Sequence, residues 1–284
     1  MQTFDTNDPI DLAIELSHGA VHIIASDRAD AVVSVNPREA DRADDVEAAA
    51  KTVVELTNGT LWIRQRKPGG IAAPVIGWKG RGAVEVTVEL PERSSLRADT
   101  GVADFRLDGR LGDVEIKTGV GDVRLDRTAG LRVRTGVGNV DIEETSGNAD
   151  IVASGELAVG AIAGDADIKN LNGTTWIGTV SGDVKLKSAN GDVTIDDAGR
   201  DVTAKTANGS IRLGRVARGV VSIETGSGAR EVGIEEGTAA WIEATTKFGR
   251  LQNLLTPAEN PDPSAETVRV RARTSFGDIT ITRS

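Results

Sequence analysis

A glycine recurs about every nine residues through most of the chain, and this rhythm constrains the fold more than any other feature. Units such as TGVGDVRL, from Thr118, and SANGDVTI, from Ser188, place alternating apolar and polar residues after the glycine. Asn-Gly pairs beginning at Asn172, Asn190 and Asn208 add a second rhythm with twice that period. The two rhythms together predict a coil of about 18 residues that contains two strands.

The alternation within each unit predicts one buried and one exposed face. Val184 and Leu186 point one way and Lys185 and Lys187 the other, because successive side chains of a strand lie on opposite faces. Glycine allows each corner to adopt a positive φ, and asparagine tolerates the same region. The sequence therefore predicts an all-β fold, a parallel β-solenoid. An antiparallel meander is the alternative, since Asn-Gly also favours hairpins.

The two ends of the chain differ from the repeat. Residues 1–98 are interpreted as an N-terminal β-strand cap region, and residues 99–284 as the solenoid repeat domain. The cap region is expected to contain a hairpin at Asn58-Gly59 and a short helix over Asp44–Lys51, opened by Asn36-Pro37. At the other end, the run VRVRAR is expected on the terminal strand, where its arginines would oppose edge-to-edge pairing.

Charge and cysteine content exclude several classes of function. The net charge is −10, with 43 acidic against 33 basic residues, which argues against binding nucleic acid or an anionic bilayer. The chain has no cysteine, so it has neither a disulfide framework nor a thiolate zinc site. No signal peptide or run of ~20 apolar residues is visible, so we expect a soluble, cytoplasmic protein.

No residue pattern indicates catalysis or a cofactor. The two histidines, His18 and His22, lie in N-terminal strands and are interpreted as structural. Asp196 and Asp197 are adjacent, so in an extended strand their side chains face opposite ways. The GVGDV units resemble phosphate loops, but neither Lys-Ser/Thr nor a helix follows them. We therefore expect no catalytic residue and no cofactor.

Asp165, Asp183 and Asp201 recur with the period of the coil, so they should form one column. The column is expected to be a solvated corner with hydrogen bonds from the side chains to the backbone. Binding of a divalent cation between coils is a weaker alternative, because the calcium-binding nonapeptide signature is missing.

A Gly/Pro-rich segment, residues 67–82, carries exposed candidates for binding a partner. Ile71, Val75, Ile76 and Trp78 lie among basic residues there. The segment is either a plain connection between two strands or an apolar insert that binds a partner.

Two further tryptophans, Trp176 and Trp241, each precede an isoleucine in a strand-like run. They are interpreted as packing in the core or against the side of the coil. The alternative is that their rings are platforms for stacking sugars.

The opening PIDLAIEL, the run ELPERSSLRADTGVADFRLDGRLGD, the TWIGTVSGD segment and the terminal RVRARTSFGDITI resemble one family across nearly the whole chain. It is a bacterial family of uncharacterised β-strand-repeat proteins labelled "putative adhesins", a domain of unknown function. The resemblance implies a β-solenoid and an adhesin-like role, and it supplies no catalytic residues.

These observations predict a non-enzymatic structural or interaction module, a monomer or small oligomer that binds an unknown protein or carbohydrate partner. A carbohydrate- or surface-binding adhesin is the alternative if the chain is exported. A polysaccharide-active β-helix enzyme is the third possibility, since such enzymes need clustered carboxylates on one face.

Overall fold

The computed structural model describes residues 1–6, 8–65, 82–256 and 266–284. The chain divides into two compact units, Met1–Gly138 and Asn139–Ser284. The expected division at residue 98 concerns the repeat pattern and stays a prediction. The elements of the first unit are β1 Gln2–Asp5, β2 Asp11–Ser26, β3 Asp30–Pro37, α1 Ala43–Lys51, β4 Thr52–Thr57, β5 Thr60–Gln65, β6 Val84–Pro91, β7 Ser95–Arg110, β8 Val114–Val120, β9 Val123–Thr128 and β10 Leu131–Val137.

The second unit consists of strands throughout its described part. They are β11 Val140–Thr145, β12 Ala149–Ala153, β13 Leu157–Ile162, β14 Ala166–Asn172, β15 Thr175–Val180, β16 Val184–Asn190, β17 Val193–Ala198, β18 Val202–Asn208, β19 Ile211–Val216, β20 Gly219–Ser227, β21 Arg230–Ile234, β22 Ala239–Phe248, β23 Leu251–Asn253, β24 Thr267–Phe276 and β25 Ile279–Arg283.

Strand pairing confirms the parallel solenoid and excludes the antiparallel meander. From β11 to β19 each strand pairs in parallel with the strand two further along, so β14 pairs with β16 and β16 with β18. Ala166 pairs with Val184, and Val184 pairs with Val202, which is a coil of 18 residues. Shorter and longer coils also occur, since Val140 pairs with Leu157 and Val202 pairs with Val221. Two strands per coil are therefore confirmed.

The core of each unit follows the predicted alternation. Val184 and Leu186 are each 1% exposed, while Lys185 and Lys187 on the same strand are exposed. Aliphatic side chains from successive coils stack inside the solenoid in the same way. Burying each one contributes roughly 1.5–3 kcal/mol, so the stack of apolar side chains is the main source of stability.

The corners of the coil are of two kinds, and the sequence predicted one. Gly191 and Gly209 have positive φ angles of +124° and +141°, as expected. Gly182, at the other corner, lies outside this region. A Cβ there would lie 2.4 Å from the carbonyl oxygen of Gly164, so close approach of two backbones requires glycine at this corner. The expectation that glycine gives each corner a positive φ is therefore wrong for this second kind of corner.

In the first unit, β2 and β7 are long strands that each supply both sides of a coil. They pair in parallel along their length, and β5 and β6 pair with β2. Strands β1, β3 and β4 add antiparallel pairs, and β4 and β5 form the predicted hairpin at Asn58-Gly59. Helix α1 covers the predicted residues but begins at Ala43, because Asn36 and Pro37 continue strand β3.

The order of stacking at the end of the second unit differs from the sequence. Strand β24, which carries VRVRAR, pairs with β20 on one side and with β22 on the other. The expectation that this run occupies the terminal strand is therefore wrong. The chain passes through β22 and β23 first and then returns to place β24 beneath β22. Arg271 and Arg273 form ion pairs with Glu243 of β22 instead of protecting an edge.

Candidate functional site

A groove of about 610 Å³ opens on the outer face of the second unit. It is lined by residues of β16, β18, β20, β24 and β22, five strands that are hydrogen-bonded neighbours in that order. The groove therefore runs across the strands, along the direction in which the coils stack.

Small residues at one position of the repeat form the floor of the groove. Ala207, Gly226 and Ser275 follow the inward-facing threonines Thr206, Thr225 and Thr274 in three neighbouring coils. Because the floor residues have short side chains or none, the longer side chains of the preceding outward position rise above them. Because the coils stack in register, the small residues of neighbouring coils lie side by side and form a continuous depression.

Basic side chains dominate the rim. Lys187, Lys205 and Arg273 contribute three positive charges there, and Lys247, level with Ser275, contributes a fourth at the end of the floor; Glu224 is the acidic residue among the lining side chains. This excess is notable in a chain whose net charge is −10. The groove therefore offers an anionic ligand complementary charge.

Some of these charges are already paired. Nζ of Lys205 lies 2.7 Å from Oε2 of Glu224, and Nη2 of Arg273 donates to Oε1 of Glu243 at 2.8 Å. The bond from Arg273 lowers the pKa of Glu243 below its ordinary value. Lys187 and Lys247 have no ion-pair partner among the residues that the structure describes, so their ammonium groups are available to a ligand.

A buried arginine lies behind the groove. Arg230 is 1% exposed, and its Nη2 donates to the backbone oxygen of Thr225 at 3.1 Å. Burial lowers the pKa of Arg230 to about 10, so the guanidinium is charged at neutral pH. Its Nε and Nη1 have no hydrogen-bond partner within the described ranges. Arg230 occupies an inward position that Ile211 fills in the preceding coil.

The aspartate column forms as predicted and is engaged with the backbone. Oδ1 of Asp165 accepts from the N–H of Asp183 at 2.9 Å, and Oδ1 of Asp201 accepts from the N–H of Val220 at 2.8 Å. These are the side-chain-to-backbone bonds expected of a corner column. In the part of the chain that the structure describes, no three acidic or histidine side chains cluster as a metal site would require. A cation in the column stays a prediction.

An asparagine ladder beside the groove was missed by sequence reasoning. Nδ2 of Asn190 donates to Oδ1 of Asn172 at 2.9 Å, and Nδ2 of Asn208 donates to Oδ1 of Asn190 at 3.1 Å. Further along the same column, the rings of Phe276 and Phe248 stack with centroids 5.0 Å apart. The period of the Asn-Gly pairs was the available signal, but it was attributed to turn conformation alone.

Trp176 and Trp241 lie on the outside of the coil, so the core placement is wrong, whereas packing against the side of the coil fits Trp176. They are 43% and 72% exposed. Nε1 of Trp176 donates to Oδ2 of Asp196 at 3.0 Å, which fixes the ring against the next coil. One face of Trp176 is therefore held open on the surface.

The remaining titratable candidates make structural contacts. Nε2 of His22 lies 2.6 Å from Oδ2 of Asp108. Burial by itself raises the pKa of Asp108, but hydrogen bonds from His22 and Arg106 outweigh it and lower the pKa below 3.8. Asp197 pairs with Arg215 while Asp196 binds Trp176, so the adjacent aspartates contact different partners.

The partner-binding candidates in the Gly/Pro-rich segment, namely Ile71, Val75, Ile76 and Trp78, lie outside the described residues. Their role stays a prediction. Among the helices that the structure does describe, none is long and apolar enough to cross a membrane.

Parallel strands wound in two-strand coils around an apolar core define the class: this is a β-solenoid repeat protein. The chain belongs to the Toastrack DUF4097 family, a family of domains of unknown function, whose profile matches residues 10–282. The family resemblance seen in the sequence is thereby confirmed. A search among curated proteins finds no match.

Several solved structures are similar over almost their whole length. A putative lipid binding protein from Parabacteroides distasonis is 14% identical with a TM-score of 0.36, and the match covers 98% of this chain and 95% of that one. A putative adhesin from Bacteroides fragilis is 12% identical with a TM-score of 0.31, again over 98% and 95%. TM-scores of this size carry no argument, so membership of the family rests on the profile.

Proposed function

We propose that this protein is a non-enzymatic, adhesin-like interaction module that uses the outer face of its solenoid to bind a partner. The observation that carries the proposal is the groove of the second unit, about 610 Å³ in volume and lined by four basic side chains. Ligand sites are concave and combine apolar surface with a few placed polar groups. The rigid coils beneath hold that surface in place.

A role without catalysis is supported by the contacts that three aspartates make. The carboxylates of Asp108, Asp165 and Asp196 accept hydrogen bonds from a histidine, a backbone N–H and an indole N–H. Each is thus occupied in holding one coil to another. Incubation with acidic polysaccharides, read by the release of reducing ends, tests this part of the proposal. Steady release above a boiled control would overturn it.

We further propose that the module works in the cytoplasm on a protein partner and does not bind nucleic acid. The absence of cysteine fits a reducing compartment, and the net charge of −10 opposes binding to phosphate backbones. Cell fractionation with an antibody tests the compartment, and recovery of the protein outside the cytoplasm would contradict it.

The experiment that tests partner binding is an affinity capture from native cytosol with three baits. They are the intact chain, a chain lacking residues 67–82, and the double variant Lys187→Glu/Lys247→Glu. We expect the intact chain to retain a partner that the double variant loses, because both lysines line the groove. The shortened chain reports whether Ile71, Val75, Ile76 and Trp78 also take part. Equal capture by all three baits would contradict the proposal.

A carbohydrate-binding module is the second candidate, and Trp176 favours it. Its ring is 43% exposed and is fixed by the bond to Asp196, which leaves an aromatic face available for a sugar ring. Binding to a panel of glycans that Trp176→Ala abolishes and Trp241→Ala retains would establish this alternative. A panel without a binder would remove it.

A further inference from the structure

We propose that the groove of the second unit binds an extended acidic segment of a partner protein. This inference rests on the proposed function and names the chemistry of the partner. The segment would lie along the groove, across β16, β18, β20, β24 and β22, with its carboxylates against the basic rim.

The dimensions of the groove suit a short extended peptide. Five neighbouring strands at a spacing of ~4.8 Å span about 19 Å. An extended chain advances ~3.3 Å per residue, so about six residues fit along this length. Ala207, Gly226 and Ser275 form a floor low enough for a peptide backbone to approach between the taller side chains of the rim.

The charges of the side chains that line the groove favour an acidic segment. Two of the cations that line the groove, Lys187 and Lys247, have no ion-pair partner in the described part of the chain, and they lie on the first and last of the five strands. Their ammonium groups can therefore meet carboxylates near both ends of the segment. Lys205 and Arg273 lie between them and are each paired with one glutamate, Glu224 and Glu243. A carboxylate of the ligand would share each of these two cations with the glutamate already paired to it.

The buried Arg230 adds positive potential from behind. Its guanidinium contacts the backbone of Thr225, whose neighbours Glu224 and Gly226 line the groove. Because this charge lies in the protein interior, salt screens it less than the lysines of the rim. Arg230 therefore favours an anion over the middle of the groove, where Glu224 would otherwise repel one.

The lining residues favour a peptide over other polyanions. None of the described residues that line the groove is aromatic. Single-stranded nucleic acids bind largely by stacking bases on aromatic rings, and sugars stack their faces on such rings in the same way. A groove of hydroxyls, methyl groups and ammonium groups instead provides hydrogen bonds for a peptide backbone and point charges for its carboxylates.

Fluorescence anisotropy with a labelled octapeptide of alternating glutamate and serine tests the inference. We expect binding that weakens with added salt, and no binding of the same peptide with glutamine in place of glutamate. Lys187→Glu/Lys247→Glu should weaken binding about tenfold or more, at roughly 0.7 kcal/mol for each lost contact.

The matched control is Arg200→Glu/Arg269→Glu, which makes the same change in net charge. Both control arginines are exposed in the second unit and do not line the groove. We expect this variant to change affinity less than about threefold. Circular dichroism and the melting temperature of both variants confirm that each is folded.

Three results would overturn the inference. One is an equal loss of binding in the groove and control variants, which would indicate a general charge effect. Another is tighter binding of a sulfated oligosaccharide or of oligo-dT than of the glutamate peptide. The third is no binding of the peptide. If the capture experiment still shows a partner that depends on the groove, the proposed function stands and only the acidic segment is wrong.

Discussion

The stacking of the coils requires a glycine at Gly191 for two reasons that can be measured. Its φ is +124°, and a Cβ built there would lie 2.1 Å from the carbonyl oxygen of Gly173 in the neighbouring coil. Gly237 is the matched control in the same unit, because its φ is +81° and a Cβ there would meet nothing within 4 Å. The pair compares a glycine that only has a left-handed φ with one that has a more restrictive φ and also lies against a neighbouring coil.

The cost of each alanine substitution follows from these geometries. Gly237→Ala should cost about 1 kcal/mol, the strain of a side chain in the left-handed region. Gly191→Ala should cost about 2 kcal/mol of strain, because φ near +124° is almost exclusive to glycine. Moving the Gly173 carbonyl away from the new Cβ would also weaken hydrogen bonding between the coils, which adds about 1 kcal/mol. The expected total for Gly191→Ala is about 3 kcal/mol.

Urea unfolding followed by circular dichroism measures the difference. Both variants lie in the second unit, so the same transition reports on both. A difference of about 2 kcal/mol corresponds to midpoints about 1 M apart for a slope of about 2 kcal/mol/M. Equal midpoints for the two variants would show that coils do not approach each other at Gly191, and the stacking described above would be wrong.

Three further predictions test other parts of the structure. Deleting residues 183–200 removes one whole coil, because paired residues of neighbouring coils are 18 apart, so the product should fold with a lower melting temperature. Deleting only residues 183–191 removes half a coil and should abolish cooperative unfolding. Asp165→Asn keeps the acceptor for the N–H of Asp183 and should leave the melting temperature unchanged, while Asp165→Ala should lower stability by about 1 kcal/mol. Calcium should not change the melting temperature of either variant, and a calcium-dependent rise would instead assign a metal to the column. Because the pKa of Asp108 is lowered in the folded protein, its carboxylate contributes stability above pH 3.8, and this contribution is lost as the pH falls through the pKa of the folded state. Asp108→Asn should therefore destabilise the protein more at pH 6 than at pH 3 in thermal melts.

The sequence was sufficient to predict the features that depend on the residues of a single coil. Alternation at Val184 and Leu186 identified the buried face, and the recurrence of Asn-Gly gave the coil length. The hairpin at Asn58-Gly59 was also predicted correctly, since a strong turn signal between two alternating runs determines the pairing locally.

Features that depend on the order of stacking could not be predicted. Strand β24 enters the sheet between β20 and β22 after a long connection, and nothing in the alternation of VRVRAR distinguishes an inner strand from a terminal one. The groove depends on that insertion, because Arg273 comes from β24 and Lys247 from β22. Stacking the strands in sequence order would therefore have placed these two cations in the wrong order along the groove. The buried Arg230 also breaks the apolar pattern, and only the structure shows what its guanidinium contacts.

Cysteine cross-linking tests the central claim, that coils stack in parallel with a period of 18 residues. The chain has no cysteine, so introduced pairs report without background. Asn190 and Asn208 are direct partners on β16 and β18, and parallel neighbours at ~4.8 Å lie within the range that a disulfide spans. Asn190→Cys/Asn208→Cys should therefore form an intramolecular disulfide on mild oxidation, as detected by mass spectrometry of the digested monomer. Asn190→Cys/Gly199→Cys, half a coil apart, should not. Rapid bridging of 190 to 199, with 190 and 208 remaining reduced, would contradict the solenoid.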